Sequence, residues 1–180
     1  MAYLLRHAHA GSKHAWTGPD ALRPLSKMPV TWAATGTLVE PGRVYVALPA
    51  THLVVNPDAR LTVSNAPRIR FFRPSADWLF DSAAASFGDR HTAVVLSGML
   101  SDGASKLRRV RSHGGKVLVQ DPGTCPYPAM PTAAIATGHV DAVLPIDAMR
   151  PALLRIFSQR EQQQDAAAWE DPFGAASLAS

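Results

Sequence analysis

Three residue types in this chain could carry out acid–base or nucleophilic chemistry, and their settings suggest how. His7 follows a short apolar strand, Ala2–Leu5, and stands directly after Arg6. A histidine in that place can attack phosphorus, take a proton from a hydroxyl nucleophile, or simply occupy the surface after a strand. Asp102 stands in Gly98-Met99-Leu100-Ser101-Asp102-Gly103-Ala104, directly after the apolar run Thr92–Ser97. Two glycines bracket a carboxylate where a strand hands over to a helix. Glycine lets the backbone turn sharply and present N–H groups outward, and such groups hold developing negative charge. A carboxylate here can orient the imidazole of a triad. The plainer alternative is a strand–loop–helix turn with Asp102 as the N-cap of the helix that follows. Cys125, between Thr124 and Pro126, has no basic neighbour in sequence to lower its pKa and reads as passive.

These residues need a scaffold, and the chain can supply one. It has 180 residues, 47% of them hydrophobic and 18% charged, enough for one domain with a packed core. No apolar run reaches the roughly 18 residues of a membrane span, and Arg6 and His7 interrupt the N-terminal run too early for a signal peptide. A single cysteine excludes an internal disulfide and suits a reducing, cytoplasmic setting. The net charge of +4 is concentrated in Lys106, Arg108, Arg109, Arg111 and Lys116. Without interleaved aromatics this reads as a solvated helix face and not as a nucleic-acid surface. His7, His9 and His14 lack the carboxylate or cysteine spacing of a metal site, so no metal or cofactor is expected.

Residues 8–29 read as loop with at most short helix. Arg43–Leu48 is β-rich, and Thr51–Val55 and Leu61–Val63 flank Asn56-Pro57-Asp58 as a hairpin. Beyond residue 74 the period changes. Leu79, Ala83 and Phe87 recur at helical spacing over Ala76–Phe87, with Ser75 as N-cap and Gly88 behind. Strands at Thr92–Ser97, Lys116–Gln120 and Val143-Leu144 alternate with helices at Ala104–His113, Met130–Thr137 and from Asp147 onward. This alternation specifies an α/β fold with a parallel sheet whose sites lie at the carboxyl ends of its strands. The last helix is expected to fray near Gln164.

Five segments in order, PGRVYVALPATHL (41–53), RPSADWLFDSAA (73–84), VVLSGMLSDGA (94–104), GGKVLVQDPGT (114–124) and MPTAAIATGHVDAVLPI (130–146), resemble the catalytic domain of CheB-type protein-glutamate methylesterases. The resemblance covers residues 29–157. It implies a doubly wound, mostly parallel three-layer αβα fold with a small β-hairpin insertion. It implies a methylesterase-like domain over residues 1–158, lacking the family's first strand and helix; residues 159–180, polar and then rich in Ala, Gly and Ser, read by composition as a frayed helix and disordered tail. It further implies a cytoplasmic chemotaxis hydrolase in a phosphorelay pathway. Such an enzyme cleaves γ-glutamyl methyl esters on the cytoplasmic helices of methylated chemoreceptors, with glutamine deamidation as a second activity, and involves neither nucleic acid nor membrane insertion.

By position, Asp102 matches the triad aspartate, Met99 the residue whose backbone N–H serves the oxyanion hole, and His7 the histidine that ends an upstream strand. Two departures accompany the match. The family usually has glycine where Leu100 stands, so the pocket rim should be bulkier. The family's nucleophile sits in a Gly-Ala-Ser-x-Gly-Gly turn, and this chain contains no such motif, so no serine is assigned as nucleophile and impaired turnover is expected. One further reading is a non-catalytic receptor-binding remnant of the family. Another follows from residues 1–26, where YLLRHAHAGS and Asp20-Ala21-Leu22-Arg23-Pro24-Leu25-Ser26 resemble the start of histidine phosphatases. In those enzymes Arg6 would bind phosphate and His7 would attack phosphorus.

Overall fold

The computed structural model describes residues 3–5, 18–69 and 73–170, with side chains described over 18–69 and 73–163. His7, His9 and His14 therefore lie outside the described residues, as does Arg6. Eight strands and five α-helices make up the described fold. The strands are β1 (Tyr3–Leu5), β2 (Val30–Trp32), β3 (Val44–Val46), β4 (His52–Val55), β5 (Leu61–Ser64), β6 (Thr92–Val95), β7 (Lys116–Gln120) and β8 (Ala142–Leu144). The helices are α1 (Pro19–Leu22), α2 (Ala76–Phe87), α3 (Leu107–Ser112), α4 (Ala129–Ala136) and α5 (Ile146–Glu170).

The fold is α/β, as its alternation requires. Within the described residues its parallel strands form two sheets, ordered β1-β3-β2 and β6-β7-β8, and an antiparallel hairpin β4-β5 stands apart. Leu5 pairs with Val46, so β1 ends level with the end of β3. The hairpin register sets Val55 opposite Leu61 around the Asn56–Arg60 turn, where the Asn56 N–H donates to the Arg60 carbonyl.

Side-chain alternation explains how helices cover both faces of the β6-β7-β8 sheet. Ala93, Val95, Val117 and Val119 face one way and pack with Ala84 of α2, Leu107 and Val110 of α3 and Ala134 of α4. Val94 and Leu118 face the other way, against Met149, Ala152 and Ile156 of α5. α2 has a second task. Its Leu79 and Ala83 pack with Tyr45, Ala47, Leu53, Val55 and Leu61, so one helix joins the hairpin and the β1-β3-β2 sheet to the other half of the molecule.

Several local expectations are corrected. β2 was not expected; it is three residues long and buries only Val30 fully. The helix expected over Ala104–His113 begins as a 3-10 turn, Ala104–Lys106, because Gly103 enters it in the left-handed conformation. α5 stays helical to Glu170, past the Gln164 where fraying was expected. The basic stretch is a largely exposed face, as expected, and four of its five cations stand beside carboxylates. Lys106 and Arg109 reach Asp81 at 3.8 and 2.5 Å, and Arg111 and Lys116 reach Asp141 at 2.5 and 3.5 Å. No helix among the described residues is long and apolar enough to cross a membrane.

Candidate active site

β6 ends in Val95, and the chain then passes through 96–103 before the 3-10 turn that leads to α3. Gln120, buried at the end of β7, fixes the start of this loop: its Oε1 accepts the Ser97 N–H at 2.9 Å. Its Nε2 donates to the Thr124 carbonyl at 3.4 Å, tying in the following loop as well. The Gly98 N–H donates to the Tyr127 carbonyl at 2.8 Å, and the Met130 N–H returns to the Gly98 carbonyl at 3.0 Å. A Cβ at Gly98 would lie 2.3 Å from Met130 Sδ, so glycine leaves room for the Met130 side chain to lie against this loop.

Asp102 is 2% exposed. Burying a carboxylate this deeply requires partners, and α2 supplies them. The Ser75 hydroxyl donates to Asp102 Oδ1 at 3.0 Å, and the Ala76 N–H donates to Oδ2 at 2.8 Å. Asp102 thus caps α2 and leaves its own helix uncapped, since the 3-10 turn after Gly103 has no side-chain cap. Ser75 takes the extended N-cap backbone but makes no side-chain cap of its own. Negative charge at a helix start is favourable, because unpaired N–H groups and the dipole converge there. An ionised carboxylate has about four acceptor sites, so these two bonds do not preclude it from also accepting an imidazole N–H. Gly103 makes the approach possible: at φ 89 it lies so close to α2 that a Cβ would stand 2.8 Å from Phe80 Cε2 and 3.2 Å from the Ala76 Cβ.

Met99 stands between Gly98 and Leu100, and its N–H donates to no acceptor among the described residues. An amide held in a fastened loop without an internal acceptor can serve a developing oxyanion. Cys125 lies in the neighbouring loop, its Sγ donating to the Asp121 carbonyl at 3.3 Å. Desolvation, then the Asp121 charge, raises its thiol above the ordinary value, which disfavours the nucleophilic thiolate. Asp121 does turn chemistry, its Oδ1 accepting the Gly123 N–H at 2.9 Å. Among the described residues no group of His, Cys, Asp and Glu is arranged to hold a metal ion.

His52, His91 and His113 take structural places. His52 is fully buried, its Nε2 is 3.1 Å from the Pro67 carbonyl, and its ring lies 4.6 Å from that of Trp78. His113 closes α3, with Nδ1 2.9 Å from the Arg109 carbonyl. Burial, with the nearby Arg160 charge adding to it, lowers His91 to about 4.

The chain as a whole matches a known family. The model of the CheB methylesterase family matches residues 3–153. The chain belongs to the CheB methylesterase family. It is 38% identical over 145 residues to the protein-glutamate methylesterase FrzG of Myxococcus xanthus, a match covering 81% of this chain and 42% of that protein. It is 32% identical over 161 residues to a putative protein-glutamate methylesterase/protein-glutamine glutaminase of Leptospira interrogans, covering 89% of this chain and 82% of the relative. The crystal structure of the Thermotoga maritima CheB methylesterase catalytic domain superposes with a TM-score of 0.67 at 32% identity, covering 71% of this chain and 69% of that one. The chain thus spans less than half the length of FrzG and most of the Leptospira protein. The CheB family match begins at residue 3 and so includes Arg6 and His7, the two residues on which the phosphatase reading rests.

The sequence pointed to His7, Met99 and Asp102. The structure describes Met99 and Asp102 in one loop, while His7 follows β1 outside the described residues. It adds Ser75 and Gln120, which the sequence reading did not place at the site. In the sequence Ser75 reads as a helix cap and Gln120 as a strand end; only tertiary contact reveals what they hold.

Proposed function

We propose that this chain acts in the cytoplasm as a protein-glutamate methylesterase on chemoreceptors, with residues 1–158 forming the catalytic domain. The observation that carries this reading is the buried Asp102 in the glycine-bracketed loop, inside a family match that also spans His7. In the proposed reaction a hydroxyl nucleophile attacks the γ-glutamyl ester carbonyl. His7 takes the hydroxyl proton and returns it to the departing methoxide, which leaves as methanol. Asp102 holds the imidazole in the productive tautomer, and the Met99 N–H donates to the oxyanion. Water then cleaves the acyl-enzyme to glutamate. Glutamine deamidation would follow the same course with ammonia leaving.

No serine of the sequence stands in a Gly-x-Ser-x-Gly-Gly context, so the attacking hydroxyl is left unassigned. A second reading is receptor binding without chemistry. Methanol release from a methylated receptor segment tests both. Turnover abolished by His7→Ala and by Asp102→Asn supports the esterase. Binding of the segment without turnover supports the second reading, and neither binding nor turnover refutes both.

A further inference from the structure

We infer that Leu100, with Met99 and Tyr127, forms a rigid apolar lip that seats the protein segment bearing the glutamyl ester; this rests on the methylesterase reading above. The backbone of Leu100 is the first observation. Its φ is 70, in the left-handed region that residues with a Cβ rarely adopt. Strain of this kind persists where the surroundings over-determine it, and it concentrates at functional sites. Leu100 does not recover the strain by burial, because it is 61% exposed. Glycine would relieve the backbone without loss of core packing.

Its neighbours point the same way. Met99 and Tyr127 are each 59% exposed, so three large apolar side chains stand in solvent on two loops joined directly to each other. The joint is firm. Gly98 N–H to the Tyr127 carbonyl is 2.8 Å, and Tyr127 N–H to Ser97 Oγ is 3.1 Å. A surface held in place before binding loses little entropy on contact. Residues 96–101 carry no charge. The lip therefore suits an uncharged apolar side of a partner, beside the Met99 amide and two residues from Asp102. A free glutamyl ester is too small to cover three projecting side chains. An apolar side of a protein segment, with the ester carried next to it, covers them.

The test is binding of a methylated receptor cytoplasmic segment to the full chain by titration calorimetry, alongside thermal unfolding. Leu100→Gly and Leu100→Asn, both compatible with a left-handed backbone, should each weaken binding about tenfold, as expected for removing one apolar side chain from an interface. Their unfolding midpoints should stay level or rise. Tyr127→Ala should weaken binding comparably, and Leu38→Ala, exposed elsewhere, should leave it unchanged. If the wild type binds and the Leu100 and Tyr127 variants bind equally well, the lip is refuted while the esterase reading stands. If the wild type does not bind the segment, the lip is refuted, and if it also releases no methanol from it, the methylesterase reading falls as well.

Discussion

Ser75 Oγ lies 3.0 Å from Asp102 Oδ1 across 27 residues of sequence, and this contact fastens the loop after β6 to the first turn of α2. Because α2 also packs against β3 and the hairpin, the position of Asp102 is tied to both halves of the molecule. A substitution at either residue should therefore register in stability as well as in chemistry. Asp102→Asn can keep only one oxygen acceptor. One of the two donors, the Ser75 hydroxyl or the Ala76 N–H, loses its partner in a buried place, at a cost of about 1–3 kcal/mol. Urea unfolding of the variant measures it, and an unchanged midpoint would show that α2 does not depend on this cap. Ser75→Ala removes the hydroxyl but leaves the Ala76 bond, and should cost about 1 kcal/mol.

The two glycines of the loop should respond differently to alanine. At Gly103 the new Cβ meets the Phe80 ring and the Ala76 Cβ from a backbone at φ 89. Both the left-handed backbone, about 1–2 kcal/mol, and the crowding against α2 oppose the change. At Gly98 the obstructing atom is Met130 Sδ, the far part of a flexible side chain that can rotate away. Thermal unfolding should rank Gly103→Ala as the more destabilised variant, and the reverse order would contradict this account of the loop.

His91 makes stability fall in mild acid. Its folded value is lowered from 6.5 to about 4, by burial first and Arg160 second. Between those values the unfolded chain binds a proton that the folded chain does not, so unfolding becomes easier as pH drops. The contribution is full above about pH 6.5 and is lost progressively toward pH 4, on the order of 3 kcal/mol in all. His91→Phe should flatten the pH dependence of the urea midpoint across that window relative to wild type. Identical slopes would show that His91 is not held neutral.

Arg160 anchors α5 to the turn before β6, donating to the Arg90 carbonyl at 2.9 Å and the His91 carbonyl at 3.3 Å. Arg160→Ala should raise the amide hydrogen-exchange rates of α5 after Leu154 while leaving β7 protected. Uniform exchange across both elements would mean that the helix end is held by other contacts.

Much of the scaffold was legible in the sequence because its signals are local. Helical spacing of Leu79, Ala83 and Phe87 marks α2, and the Lys116–Gln120 strand is bounded by Gly114-Gly115 and Asp121-Pro122-Gly123. β2 escaped because Val30-Thr31-Trp32 is too short to show a period. The cap on α2 escaped because its acceptor lies 26 residues beyond Ala76, and no local rule links a helix start to a carboxylate so far along the chain. Leu100 was legible as bulk on the rim but not as backbone strain, since leucine gives no sequence sign of a positive φ. Asp102 stood out in the sequence as a candidate carboxylate through its flanking glycines and the family resemblance, while its local alternative, capping the helix that follows, is replaced by a cap on a different helix.

The central claim is that Asp102 orients the imidazole of His7. Nitrogen-15 and proton NMR of histidine-labelled protein tests it most directly, with the His7 signals assigned by their loss in His7→Gln. The account predicts a His7 Nδ1–H proton that is hydrogen-bonded, shifted downfield and slow to exchange, and that loses this character in Asp102→Asn while the fold is retained. A His7 ring whose signals are those of a solvent-exposed imidazole, and do not move in Asp102→Asn, would contradict it.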